Sequence, residues 1–232
     1  MKTMIELFSG SGIVAKTFQE AGYKTLTIDN NSDLKPNIVA DILLLNLKDI
    51  PKEFRNPDVI WASPPCQTFS VMTIGHYWNK DGTPKRSKTY IGLALALKTK
   101  ELIEELKPKI FFIENPTGML RKQKFMISLH RKTVTYCQYG MKYRKSTDIW
   151  TNAVSWIPRS ACKVGSSCHE EARRGMKRGI QGVANPNLPS FAEWKSNAYE
   201  RGIIPEKLCQ EVVNFCQGKA AIVQQTIEVA EK

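Results

Sequence analysis

Asp58-Val59-Ile60-Trp61-Ala62-Ser63-Pro64-Pro65-Cys66-Gln67 is the stretch of sequence that decides the fold. Its first half is an apolar run, which predicts a buried strand. The two prolines fix two φ angles and remove two backbone donors, so the run ends in a rigid turn. In open α/β sheets, ligands bind beyond the carboxyl ends of the strands. The Cys66 thiol is therefore a candidate nucleophile, and a buried structural cysteine is the alternative.

Apolar runs and helical patterns alternate on both sides of this stretch. This alternation predicts an α/β protein with a doubly wound, mostly parallel sheet. Pro205 is expected to open a last helix. The predicted strands are Met4–Phe8, Thr25–Asp29, Ile38–Ile42, Val59–Ala62, Ile110–Ile113, Thr133–Tyr136 and Asp148–Trp150, and the predicted earlier helices are Ser11–Ala21 and Tyr90–Leu106.

The charge of the chain indicates a polyanionic partner. Its 232 residues include 34 Lys and Arg against 22 Asp and Glu, a formal net charge of +12. Nucleic acid is the simplest such partner, and a generically basic protein is the alternative. The chain has no apolar run near the length of a membrane span and begins at once with a strand pattern. We therefore expect a protein that contacts no membrane and lies in the cytoplasm of a prokaryotic or phage-infected cell. We also expect a monomer.

Three regions follow from these patterns. Residues 1–150 are predicted to form a cofactor-binding and catalytic domain. Residues 151–198 have little periodicity and are predicted to form a small irregular insertion that contacts nucleic acid. Residues 199–232 are predicted to supply a C-terminal helix that completes the first domain.

A glycine-containing turn, Phe8-Ser9-Gly10-Ser11-Gly12, joins the first predicted strand to the first helix. Glycines there permit a tight turn and the close approach of a ligand. Asp29 ends the next strand, where a carboxylate can accept hydrogen bonds from a ribose diol. Asp41 has two interpretations, an acceptor for an adenine amino group or a cap of a turn. Ala15 takes the third glycine position of the dinucleotide pattern, which also allows alanine.

Glu114 gives Cys66 a possible partner. It follows the buried run Ile110–Ile113, so both residues fall at the ends of predicted strands. A thiolate beside a carboxyl group that donates a proton is a working pair for covalent catalysis. The alternative for Glu114 is a capping or salt-bridged acid.

The order of these motifs resembles that of the cytosine-5 DNA methyltransferases. The turn at residues 8–12 resembles the family's first motif, and Pro64-Pro65-Cys66-Gln67-Thr68-Phe69-Ser70 closely resembles its Pro-Cys-Gln motif. Glu114-Asn115-Pro116 resembles its Glu-Asn-Val motif, with Pro116 where valine is usual. Tyr139-Gly140, followed by Arg144-Lys145, is similar to the stretch that precedes its Gln-x-Arg-x-Arg motif, which is not intact here.

The resemblance implies a compact, Rossmann-like methyltransferase, of a phage or restriction-modification type, that transfers a methyl group from S-adenosylmethionine to carbon 5 of cytosine in DNA. It implies that Cys66 bonds to carbon 6 of a flipped base, that Glu114 protonates or hydrogen-bonds ring nitrogen 3, and that Arg144 contacts the base. The implied cofactor contacts are Phe8, Gly10, Gly12, Asp29, Asn30, Asp41 and Pro65. The short region after residue 150 takes the place of the family's target-recognition domain.

Nucleic-acid contacts are predicted at three places. Gln67 and Ser70 belong to the nucleophile motif. Lys85 and Arg86 lie in the polar stretch 71–89, which we interpret as a mobile loop that closes over DNA, with a solvated loop as the alternative. Arg173 and Arg174 belong to a basic cluster in the insertion.

No metal site of the usual paired spacing is predicted. Cys162, Cys168 and His169 form a Cys-x5-Cys-His group that is a zinc candidate if Cys137 or another residue completes it.

Three other functions stay open on sequence alone. The same chemistry could act on RNA, because a 2′-hydroxyl is recognised by a local contact. An amino-methyltransferase has a similar Ser-Pro-Pro step, but with an aromatic residue in place of Cys66. A catalytically silent nucleic-acid-binding protein could share the fold. The presence of Cys66, Glu114, Asp29 and the glycine turn together favours the cytosine-5 enzyme.

Overall fold

The computed structural model describes residues 1–169 and 202–219, and these form an α/β fold around one seven-stranded sheet. The sheet order is β3-β2-β1-β4-β5-β7-β6. Strands β1 to β5 are parallel, and β7 runs antiparallel to both of its neighbours. The strands are β1 Thr3–Leu7, β2 Lys24–Asp29, β3 Ile38–Val39, β4 Val59–Ala62, β5 Ile110–Pro116, β6 Arg131–Thr135 and β7 Ser146–Thr151.

Helices cover both faces of the sheet. The α-helices in the described ranges are α1 Ile13–Glu20, α2 Ile74–Tyr77, α3 Ser87–Leu106, α4 Lys124–Ile127 and α5 Glu206–Cys216. Helices α1 and α5 pack against each other and share one buried apolar cluster, whereas α3 belongs to the cluster on the opposite face. The doubly wound fold that the sequence predicts is therefore confirmed.

Strand β4 shows why a continuous apolar run is needed at the centre of such a sheet. Val59 and Trp61 pack into the cluster with α1 and α5, while Ile60 and Ala62 pack into the cluster with α3. All four side chains are at most 1% exposed. A central parallel strand is covered on both faces, so every one of its positions is apolar. Burial of each large apolar side chain stabilises the fold by roughly 1.5–3 kcal/mol.

The chain reverses its direction across the sheet between β1 and β4. From β1 it proceeds outward to β2 and β3, and from β4 it proceeds the other way to β5. Adjacent parallel strands with connections in opposite directions leave a crevice at their carboxyl ends, where ligands bind in open α/β sheets. The glycine turn after β1 and the Pro-Pro-Cys turn after β4 both border this crevice.

Residues 71–89, which the sequence analysis interprets as a mobile loop, contain local secondary structure. The segment contains α2 and a bridge between Trp78 and Pro84, and α3 begins at Ser87, before the predicted Tyr90. The Trp78 side chain is 3% exposed, and its Nε1 donates to the Thr68 carbonyl at 2.6 Å. One buried aromatic side chain thus fastens a stretch whose polar composition suggested mobility.

The third predicted strand is also shorter than expected, since β3 ends at Val39 and Asp41 lies in the turn that follows.

Arg173, Arg174 and most of the predicted insertion 151–198 lie outside the described residues. Within the described ranges, no helix has the length and apolar character of a membrane span.

Candidate active site

The glycine turn is held in a left-handed backbone conformation that its sequence favours at two of three positions. Phe8, Gly10 and Gly12 have φ values of 58°, 50° and 68°. The Gly10 amide donates to Asp29 Oδ2 at 2.9 Å, and the Gly12 amide donates to the Ser9 carbonyl at 2.7 Å. A Cβ added at Gly12 would meet no heavy atom within 4 Å, so the turn borders open space. That space can admit a ligand close to the backbone.

Asp29 links the turn to the end of β2. Its second oxygen, Oδ1, accepts from the Asn31 amide at 2.9 Å, while Asn30 is exposed. Because an ionised carboxylate has about four acceptor sites, these two bonds leave capacity for hydroxyl donors. Asp41 is exposed, and its Oδ1 accepts from the Leu43 amide at 2.9 Å, which is the turn-capping geometry.

Glu6 hydrogen-bonds the first turn of α1, directly after the glycine turn. It is 3% exposed on β1, and its Oε2 accepts from the Ala15 amide at 2.8 Å, in the first turn of α1. The N-cap residue Gly12 has no side chain to cap α1, so Glu6 satisfies one of its unpaired amides. Burial raises the pKa of Glu6 from 4.5 to about 8, although the Ala15 hydrogen bond favours the ionised form.

This pKa predicts a pH-dependent stability. Glu6 binds its proton more tightly in the folded than in the unfolded chain, so protonation stabilises the fold. This stabilisation is fully present below about pH 4.5 and is lost as the pH rises towards about 8. We expect the free energy of unfolding of the wild type to fall relative to Glu6→Gln by up to about 1.4 kcal/mol per pH unit in that window. Urea unfolding from pH 5 to pH 9 measures the difference, with exposed Glu20→Gln on α1 as the control. Parallel curves for wild type and Glu6→Gln would contradict it.

The Cys66 turn is tied directly to the strand that carries Glu114. Asn115 Nδ2, at the end of β5, donates to the Pro64 carbonyl at 2.8 Å. The Cys66 carbonyl accepts from the Phe69 and Ser70 amides at 3.0 and 3.1 Å, which closes the turn behind the thiol. Cys66 is half-buried and the Pro65 side is exposed. The strand pairing of β4 with β5 therefore brings Cys66 and Glu114 to one edge of the sheet.

Glu114 has two buried partners that the sequence analysis missed. Tyr136 donates its hydroxyl to Glu114 Oε1 at 2.9 Å, and Lys145 Nζ lies 3.7 Å from the same oxygen. All three side chains are buried, and burial followed by the Glu114 charge holds the pKa of Tyr136 well above 10. A cation and a hydrogen-bond donor therefore both face this buried carboxyl group. Tyr136 directly follows β6 and Lys145 directly precedes β7, so only the sheet order could have revealed them.

Arg144 lies beside this group but its guanidinium has another partner. Its Nε donates to the Cys162 carbonyl at 3.3 Å, and the side chain is half-buried. The adjacent Lys145 is the residue whose side chain lies next to Glu114. The two consecutive side chains thus contact different groups, a difference that the incomplete motif does not indicate.

The predicted nucleic-acid contacts in the described ranges lie in two segments, the Cys66 turn and the stretch before α3. Gln67 is exposed and Ser70 is half-buried, where it forms a bridge with Gly118. Lys85 and Arg86 are exposed, and the Arg86 Nε donates to the His76 carbonyl at 3.0 Å. The structure also gathers Cys162, Cys168 and His169, together with Cys137, at the far end of β6.

The sheet order and the groups at the strand ends define a Rossmann-like methyltransferase. The profile of the C-5 cytosine-specific DNA methylase family matches residues 2–144, and the chain belongs to that family. A Frog virus 3 (isolate Goorha) protein named "Probable DNA (cytosine-5)-methyltransferase" is 34% identical over 172 residues, covering 71% of this chain and 77% of the viral protein.

More distant relatives are longer than this chain. The type II methyltransferase M.AgeI of Thalassovita gelatinovora is 30% identical over 136 residues, which cover 52% of this chain and 29% of M.AgeI. The solved structure of the Entamoeba histolytica methyltransferase EhMeth has a TM-score of 0.48 and 16% identity, and the similarity covers 70% of this chain and 56% of that one. The chain thus spans under a third of M.AgeI and about half of EhMeth.

Proposed function

We propose that this chain transfers a methyl group from S-adenosylmethionine to carbon 5 of a flipped cytosine in DNA, with Cys66 as the nucleophile. The observation that carries the proposal is the hydrogen bond from Asn115 to the Pro64 carbonyl, because it fixes the thiol turn to the strand end that bears Glu114. The family assignment supports the same reaction.

The glycine turn and the acidic strand ends fit the cofactor. Open space above Gly12 and left-handed backbone at Phe8 and Gly10 allow a ligand to approach the turn. Asp29 would accept from ribose hydroxyls, and exposed Asn30 and Asp41 would lie towards the adenine. Pro65 would border the methyl-donor end of the crevice. When bound, S-adenosylmethionine supplies an electrophilic methyl group.

Cys66 and Glu114 would activate the cytosine ring from two sides. The Cys66 thiolate forms a bond to carbon 6 while ring nitrogen 3 takes a proton or hydrogen bond from Glu114, so electron density gathers at carbon 5. After methylation, a base removes the proton on carbon 5, the Cys66 sulfur leaves carbon 6 as the thiolate, and the proton on ring nitrogen 3 returns to Glu114. Lys145 offsets the negative charge on Glu114 once its proton has passed to the ring.

The target base must leave the duplex to reach the thiol. Gln67 and Ser70 flank the turn at which the base would enter, and Lys85 and Arg86 are exposed cations suited to phosphate contacts. Arg144 stays a candidate base contact, although its Nε is directed at the Cys162 carbonyl. Arg173 and Arg174 would add phosphate contacts from the insertion.

Labelled S-adenosylmethionine tests the proposal. The purified chain is incubated with duplex DNA, single-stranded DNA and RNA of matched sequence, and the products are digested to nucleosides and separated. We expect label in 5-methylcytosine from DNA, at a rate that falls with added salt because phosphate contacts contribute to binding. Label on the exocyclic nitrogen, label in RNA alone, or no label on any of the three substrates would contradict the proposal.

A further inference from the structure

Four metal-ligand side chains meet at the end of β6, outside the catalytic group. Cys137 lies in a 3-10 turn that follows the strand, and Cys162, Cys168 and His169 lie in the segment that follows β7. Their ligand atoms all lie within 4.8 Å of one another. Two segments that are 25 or more residues apart in sequence therefore converge on a single point.

The separations fit one small ion at the centre. Cys168 Sγ lies 3.7 Å from Cys137 Sγ and 3.5 Å from His169 Nδ1, and Cys162 Sγ lies 3.7 Å from the same nitrogen. A tetrahedral zinc ion with Zn–S bonds of about 2.3 Å holds its ligand atoms about 3.7 Å apart. The Cys137–Cys162 separation of 3.1 Å is shorter than that but well beyond a disulfide bond of about 2.05 Å.

We propose that Cys137, Cys162, Cys168 and His169 bind a structural Zn²⁺ ion. Three thiols and an imidazole are soft and borderline ligands, which select zinc over magnesium or calcium. Binding releases the three thiol protons and leaves the site with one net negative charge, since three thiolates and a neutral imidazole surround a dication. All four tetrahedral positions are filled by protein, so the ion holds no water for catalysis.

Hydrogen bonds with neighbouring residues hold the proposed ligand residues in place. Gln138 Nε2 points to Cys168 Sγ at 3.2 Å, as an amide donor does to a thiolate. The Cys162 amide donates to Thr135 Oγ1 at 3.0 Å, and Arg144 Nε donates to the Cys162 carbonyl at 3.3 Å. A guanidinium beside the site offsets its negative charge.

The site would fasten the start of the predicted insertion to the catalytic sheet. Residues 152–169 contain no helix or strand, so their own hydrogen bonds supply little stability. The ion would join them to Cys137, whose neighbour Tyr136 hydrogen-bonds Glu114. Metal binding at Cys137 would therefore also help to place Tyr136, the hydrogen-bond partner of Glu114.

Metal content of the full chain tests the site directly. The protein is purified with zinc in the medium and reducing agent throughout, and bound metal is measured by mass spectrometry and by chromogenic release. We expect one zinc per chain, and intense visible bands of a tetrahedral thiolate site when Co²⁺ replaces it. Cys168→Ser and His169→Asn should each weaken zinc binding by more than the roughly 10–100-fold typical of losing an outer-shell partner.

Cys168 is exposed, so its substitution removes a ligand without opening a cavity. The control is Cys216→Ser, which replaces a half-buried cysteine of α5 that is not one of the four ligands. Chelation should lower the melting temperature of the wild type and the control but not that of Cys168→Ser. The proposal fails if the reduced wild type binds no zinc, or if Cys168→Ser keeps one tight zinc. It also fails if the protein isolated under reducing conditions has a Cys137–Cys162 disulfide, seen as an intact mass lower by two hydrogens.

Discussion

Cys66→Ser is expected to lower the rate of methyl transfer by at least about 10⁴-fold, because the serine hydroxyl is almost never ionised at neutral pH and cannot add to carbon 6. The substitution exchanges one atom in a half-buried side chain. The turn around it is held by backbone hydrogen bonds to the Cys66 carbonyl and by Asn115, neither of which involves the thiol. The loss should therefore fall on the chemical step and leave the fold intact.

Three measurements separate the chemical role from a structural one. Methyl transfer is followed with labelled cofactor, covalent trapping with DNA that contains 5-fluorocytosine, and folding by the melting temperature. Wild type and Cys216→Ser should form the trapped adduct, and Cys66→Ser should form none while melting at a similar temperature. Residual transfer above about one percent in Cys66→Ser would refute the thiolate mechanism even if the chain methylates DNA.

The central sheet and the placement of Cys66 and Glu114 at the same edge of it were predictable because they depend on local patterns. Continuous apolar runs mark β4 and the first four residues of β5, and polar residues follow each run. Once the strands are parallel, their carboxyl ends must share an edge, so a thiol and a carboxyl group that follow neighbouring strands come together. The family assignment confirms the methyltransferase predicted from these motifs.

The partners of Glu114 could not be predicted in the same way. Tyr136 and Lys145 reach it because β7 inserts antiparallel between β5 and β6, and strand order is a long-range property that no short motif contains. The burial of Trp78 could not be predicted from the sequence either. Its indole is buried and donates to the Thr68 carbonyl, a contact that the polar composition of 71–89 does not indicate.

Gly92 shows how a packing requirement can resemble a weakness. In sequence it is a glycine inside a helix, which ordinarily costs about 1 kcal/mol relative to alanine. In the structure, a Cβ at Gly92 would lie 2.5 Å from Thr68 Oγ1, so the glycine lets α3 approach the segment that follows Cys66.

Gly118→Ala is expected to lower the free energy of unfolding by about 1–3 kcal/mol and the rate of methyl transfer by about 10²-fold. A Cβ there would lie 1.9 Å from the Phe69 carbonyl oxygen and 2.9 Å from its carbon. Gly118 does not have a positive φ, so the cost comes from this collision and not from backbone strain.

The collision cannot be relieved by a side-chain movement, because the atoms in the way are backbone. The Met119 amide donates to the same Phe69 oxygen at 2.8 Å, and the Thr117 carbonyl accepts from the Val71 amide at 3.3 Å. Separating these two segments breaks the bonds between them and shifts the segment that begins at Cys66 relative to Glu114. A displacement of about 1 Å between reacting groups is enough for the expected loss of rate.

Gly75→Ala is the matched control, since Gly75 lies in α2 with no atom within 4 Å of an added Cβ and no positive φ. Alanine is the better helix former, so this variant should gain up to about 1 kcal/mol and keep its activity. Urea unfolding and labelled methyl transfer on both variants give the comparison. Equal stability and equal rates for Gly118→Ala and Gly75→Ala would mean that the contact between Phe69 and Gly118 does not position the thiol, and the geometry that joins Cys66 to Glu114 would then rest on Asn115 alone.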